Sequence, residues 1–170
     1  MLGRRDAINQ MHEGIRFYHS KQKRVEYLTI SKSHEDLRDI ENLFQSLLYQ
    51  IRIHSVNQFF PLDWFGVKVE NNHMHVLIRK PFIRSEIIVN LWKGVLGYGG
   101  NLRCYTVKKE RQRINDLVMY IAEQDEKHST QDTIFFKSEY WGKIHKKGES
   151  FKKVTRFEQI KRDLKRLNED

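Results

Sequence analysis

Two histidines one residue apart, in the run Asn71-Asn72-His73-Met74-His75-Val76-Leu77-Ile78, carry the most pointed chemistry in this chain. In an extended strand, side chains at i and i+2 share a face roughly 6 to 7 Å apart, close enough for both imidazoles to hold one metal ion. Met74, Val76 and Ile78 then point the other way, into a core.

The segment before them, Trp64-Phe65-Gly66-Val67-Lys68-Val69-Glu70, also alternates, and Asn71-Asn72 is suited to a two-residue hairpin turn. That register puts Val69 opposite Met74, Val67 opposite Val76 and Phe65 opposite Ile78, with Glu70 facing His73 and Lys68 facing His75 on the second surface. A slip of one residue would exchange the two faces. A carboxylate with two imidazoles suits Mn²⁺ or Mg²⁺ and would also accept zinc. The plainer alternative is a solvated strand face.

A second group lies on an expected helix over Glu110–Lys127. Ile114, Leu117, Val118 and Ile121 form its apolar stripe, and Tyr120 falls about 110° from the stripe's centre. Gln124 and Lys127 share that flank, so a phenol, an amide and an ammonium line up along the helix. The alternative for Tyr120 is a ring at the edge of the core with its hydroxyl in water.

These groups need a scaffold. At 170 residues, 39% hydrophobic and 12% aromatic, the chain can bury one good core, and a single domain over residues 1–170 is expected. The single cysteine, Cys104, excludes an internal disulfide framework; a small buried side chain on a strand is its ordinary role. No apolar run reaches the roughly 20 residues of a membrane span, and residues 1–24 lack a signal-peptide core. A soluble protein of the cytoplasm is expected, with no membrane partner.

The net charge of +9 sits at the ends: residues 1–24 carry +4, residues 25–136 are neutral and residues 137–170 carry +5. Basic ends on a neutral body suit a polyanionic partner, with Lys21, Lys23, Arg24, Lys146, Lys147, Lys152 and Lys153 as candidate phosphate contacts. Solvated helix faces are the alternative.

Periodicity supplies the elements. A short helix is expected over 8–18, a strand over 25–31, and a long helix with Leu37, Ile40, Leu43, Phe44, Leu47, Leu48 and Ile51 as its stripe, opened by the acids after Ser33. The histidine hairpin follows, then a helix over 83–95, the loop Gly97-Tyr98-Gly99-Gly100, a strand over 101–107, the tyrosine helix, and a last helix over 155–167. The glycine loop lacks the Gly-Lys-Ser/Thr of a phosphate cradle, so an NTPase has no support. The order argues for an α+β fold: a central antiparallel sheet, helices packed on one face, and the histidines on the open face.

His73-Met74-His75-Val76-Leu77-Ile78 after Gly66-Val67-Lys68-Val69-Glu70, followed by Pro81, Trp92, Gly97 and Tyr120-Ile121-Ala122, resembles the HUH endonucleases. The likeness is nearest to the single-tyrosine rolling-circle replication initiators of plasmids and small viruses. Tyr27-Leu28-Thr29-Ile30-Ser31 resembles that family's first motif, and the likeness covers about residues 25–128. It implies a ferredoxin-like or RRM-like sheet with the histidine strand at its centre, and Mg²⁺- or Mn²⁺-dependent nicking and joining of single-stranded DNA at an origin, hairpin origins included. By position, His73 and His75 would bind the metal, with Glu70 as third ligand, Tyr120 as nucleophile, and Lys127 and Lys68 in support.

The division of labour is chemically sensible. A phenol, titrating near pH 10 in model peptides, is a poor nucleophile at neutral pH, and a divalent ion can polarise the phosphate it attacks. A covalent 5′-phosphotyrosine conserves the phosphodiester's energy, so strands can be rejoined. Many relatives carry a lysine three or four residues after the tyrosine, where this chain has Glu123 and Gln124. Gln124 also resembles a glutamine of single-tyrosine insertion-sequence transposases that completes the metal site, so either Glu70 or Gln124 fits as third ligand. Without a helicase motif in these 170 residues, a host or separately encoded helicase is an implied partner; a homodimer is compatible. The competing readings are a transposase, an inert relative, and a non-catalytic single-strand binder that stacks bases on Tyr27, Trp64 or Tyr105.

Overall fold

The computed structural model describes residues 2–55, 62–81, 83–124 and 133–144, with Thr133 and Ile134 described by backbone alone. Lys127, Lys146, Lys147, Lys152, Lys153 and the helix expected over 155–167 lie outside them. In chain order the elements are α1 (Arg4–Ser20), β1 (Val25–Ser31), α2 (Ile40–His54), β2 (Trp64–Val69), β3 (His73–Arg79), α3 (Ser85–Leu96), β4 (Asn101–Thr106), α4 (Arg111–Ala122) and β5 (Thr133–Lys137).

The strands form one sheet in the order β4-β1-β3-β2-β5, and every neighbouring pair is antiparallel. The α+β class is as expected, and the histidine strand is central. β5 was not anticipated. It pairs with β2 over Phe65–Val69 and is short, as an edge strand tends to be.

The layering differs from the sequence expectation, because helices cover both faces. Leu28, Ile30, Met74, Val76, Ile78 and Trp64 pack under α2 and α3. On the opposite face Tyr27, Phe65, Val67, Val69 and Leu77 pack under α1 and α4. The cause is legible in β2, where Trp64 on one side and Phe65, Val67 and Val69 on the other are all buried. A strand apolar on both sides has to be covered on both sides.

The β2–β3 register also differs. Val69 pairs with His73, Val67 with His75, Phe65 with Leu77 and Lys68 with Met74, across a three-residue turn of Glu70, Asn71 and Asn72. The extra residue is accommodated by Glu70 in the left-handed region at φ 52°. Asn71 anchors the turn: its side-chain oxygen accepts from Ile40 N at 3.0 Å and its amide nitrogen donates to Arg38 O at 3.2 Å.

α2 begins later than expected. Leu37 is 91% exposed, and the N-cap is Asp39, whose side chain accepts from Glu41 N at 3.1 Å. Asp36 instead forms a fork with Arg38, at 2.9 and 2.6 Å. α1 is longer than expected, and Trp141, just beyond β5, is packed against it. The indole lies on Gly14, where a Cβ would overlap it, and Trp141 Nε1 donates to Gln10 O at 2.9 Å.

Candidate active site

One end of the α1/α4 face is left open. Cross-strand rungs of side chains floor it: Asn101, Ser31 and His73; then Arg103, Thr29 and His75; then Tyr105 and Tyr27. Tyr120, on the flank of α4, forms a wall, and the resulting cleft of about 560 Å³ is lined by both histidines, Tyr27, Thr29, Ser31, Asn101, Arg103, Tyr105 and Tyr120.

His75 is 7% exposed and touches two phenols. Its Nδ1 lies 2.7 Å from the Tyr27 hydroxyl. The ring of Tyr120 meets it in a T-shaped contact, with centroids 5.9 Å apart and planes at 76°. Tyr120 is 42% exposed, so its ring reaches the histidine while remaining accessible to a ligand. His73 is half-buried, with Nδ1 2.9 Å from Asn72 Oδ1. Burial pushes the Tyr27 phenol well above the ordinary tyrosine value, and the neighbouring Tyr120 and Tyr105 add to the shift. Tyr27 therefore stays a neutral hydrogen-bonding group across the physiological range.

The structure thus brings together His73, His75 and Tyr120. Glu70 is exposed on the turn and Lys68 is on the opposite face, its ammonium 3.3 Å from Asp39 Oδ1, because the longer turn exchanges the faces of β2. Neither lines the cleft. Gln124 is 1% exposed and its amide donates to Tyr120 O at 2.9 Å, closing the last turn of α4. Among the described residues no group of three His, Cys, Asp or Glu converges as a metal site.

Lys21, Lys23 and Arg24 are exposed beside the start of β1, whereas Ser31 at its far end lines the cleft. A phosphate contact there would be outside the cleft, about 20 Å away along the strand. Of the aromatics considered for base stacking, Trp64 is buried under α2 against Phe44 and Phe136, and Tyr27 is engaged with His75. Tyr105 is 49% exposed within the cleft and suits that role.

Sequence reasoning missed Arg103. Its signal was present in the alternation of β4, which places Asn101, Arg103 and Tyr105 on the face of Thr29 and His75. The Tyr27–His75 hydrogen bond had no sequence signal, since it joins side chains from different rungs of adjacent strands.

No protein-family model matches the chain, and no curated protein matches it. Among solved structures it resembles the hypothetical protein ORF119 from Sulfolobus islandicus rod-shaped virus 1, with a TM-score of 0.50 and 17% identity over 68% of this chain and 93% of that one. At that identity the likeness is one of fold.

Proposed function

We propose that this chain is a metal-dependent nuclease of the HUH type that nicks and rejoins single-stranded DNA through Tyr120, as an initiator of rolling-circle replication. The observation carrying this reading is the contact of the accessible Tyr120 ring with His75, in a cleft that His73 also lines.

The donor chemistry fits a divalent ion. His73 and His75 would hold Mg²⁺ or Mn²⁺ through ring nitrogens, with oxygen donors from outside the chain completing the set. Such an ion would withdraw charge from the phosphate under attack. The proposed set leaves out Glu70, which is exposed on the turn, and Gln124, whose amide donates to Tyr120 O.

The remaining roles fall to the chain's own groups. Arg103 supplies a fixed positive charge to the cleft, the role a lysine after the tyrosine would otherwise fill. Tyr105 offers an aromatic face to a base. The Tyr120 oxygen attacks phosphorus, its proton passing to solvent, and the P–O3′ bond breaks. The departing 3′ oxygen takes up a proton, leaving a 5′-phosphotyrosine and a 3′-hydroxyl, and the reverse sequence rejoins the strand.

The test is incubation with labelled single-stranded oligonucleotides and Mn²⁺, followed by a denaturing gel. A protein–DNA adduct is expected in the wild type. Tyr120→Phe should still bind but form no adduct, and the double variant His73→Ala with His75→Ala should lose metal-dependent cleavage. An adduct that persists in Tyr120→Phe moves the nucleophile elsewhere, with Tyr105 and Tyr140 next to test.

A second reading is favoured by Tyr105: a single-strand binder without catalysis. Strong binding that is lost in Tyr105→Ala, with no adduct under any metal, would select it.

A further inference from the structure

Both histidines of the cleft have their Nδ1 atom engaged by another side chain of the protein. For His73 the partner is Asn72 Oδ1 at 2.9 Å, while the same amide's nitrogen lies 2.9 Å from His34 Nδ1 and 3.1 Å from its Nε2. With the amide in this orientation its oxygen can only accept, which places the His73 proton on Nδ1 and the lone pair on Nε2. For His75 the partner is the Tyr27 hydroxyl at 2.7 Å. The two ring planes are 14° from parallel with centroids 6.0 Å apart.

A phenol can donate or accept, and the two cases have opposite consequences. A phenol donating to Nδ1 leaves the proton on Nε2 and closes that nitrogen to a cation. A phenol accepting from Nδ1–H leaves the lone pair on Nε2. We infer that Tyr27 is a positioning residue that accepts the Nδ1–H of His75, as Asn72 accepts that of His73, so that both imidazoles offer the same nitrogen to a divalent cation. This rests on the two-histidine metal reading given above.

Tyr27 is well placed for the task. It is almost fully buried, held by strand pairing to Leu77 on one side and Tyr105 on the other. Ligating histidines commonly depend on such a partner, whose loss weakens metal binding about 10- to 100-fold.

The test uses the full chain labelled with ¹⁵N-histidine, without metal, in mildly alkaline buffer. Long-range ¹H–¹⁵N spectra report each tautomer, with His73 and His75 assigned from His→Gln variants. Protonated Nδ1 is expected at both. Tyr27→Phe should move the His75 proton to Nε2, leave His73 as it was, and weaken Mn²⁺ binding by calorimetry about 10- to 100-fold.

Protonated Nε2 at His75 in the wild type overturns the inference, as does a His75 tautomer unmoved by Tyr27→Phe. Should the variant fail to fold, the wild-type spectrum alone decides the direction of the hydrogen bond. Tautomers as expected in a protein that takes up no Mn²⁺ uphold the role of Tyr27 and remove the metal-site reading instead.

Discussion

Tyr120 and His75 are in ring contact, the one on a helix flank and the other on the central strand of the sheet, with centroids 5.9 Å apart. On the proposed reading, the attacking phenol and a metal-holding imidazole would stand side by side before any substrate arrives. Pre-positioning of this kind removes part of the entropic cost of bringing reactants together.

Arg103 is the only Lys or Arg among the described residues that lines the cleft. Arg103→Ala should weaken binding of a single-stranded oligonucleotide and reduce the slope of log K against log salt by about 0.7, the share of one phosphate contact. Arg103→Lys should restore the slope, because the charge returns. Titrations at several salt concentrations check this, and an unchanged slope in the alanine variant would exclude a phosphate role.

Trp141 joins the end of the sheet to α1. It is buried against Phe65 and Tyr18 and donates to Gln10 O. Trp141→Ala should cost about 3 to 5 kcal/mol in urea unfolding. Gly14→Ala should cost about 1 to 3 kcal/mol by the opposite route, since its Cβ would overlap the indole.

Asp36 has its carboxyl held down to about 2, first by the hydrogen bonds from the Arg38 side chain. A depressed folded value means stability that is present above the unfolded value of about 3.9 and lost as pH falls through it toward 2. Asp36→Asn should flatten the dependence of unfolding free energy on pH within that acid window and leave the neutral-to-alkaline range unchanged. Equal slopes in both proteins would show that this fork contributes nothing.

Cys104 has its thiol pushed up to about 11, mainly by burial. Thiolate is the reactive form. Alkylation by iodoacetamide should be slow in the folded protein at neutral pH and rise to the ordinary rate in urea. Fast labelling of the folded chain at pH 7 would contradict this environment.

The parts of the site that sequence could reveal are those set by one element's own period. The i, i+2 spacing put His73 and His75 on one face, and the helical period put Tyr120 on the flank of α4. What depends on a turn was not legible: three loop residues in place of two set Val69 rather than Glu70 against His73. The choice was made by tertiary contacts of Asn71 with Ile40 and Arg38, which local pattern does not encode. The two-sided covering of the sheet was hinted at by the nearly continuous apolar character of Trp64–Val69, which a reading in terms of alternation overlooked. β5 is five residues long, too brief to stand out from sequence pattern alone.

The two halves of the cleft are mounted differently. β3 is bonded through its backbone to β1 on one side and β2 on the other. α4 has no such ladder, and rests through Ile114, Val118 and Ile121 in a cluster shared with Ala7, Met11 and Ile15 of α1. Remodelling that helix–helix seam would change how far the phenol reaches while leaving the imidazoles where they are. In the proposed reaction, the gap between the attacking oxygen and the cation would thus be a dimension that substitutions remote from both can retune.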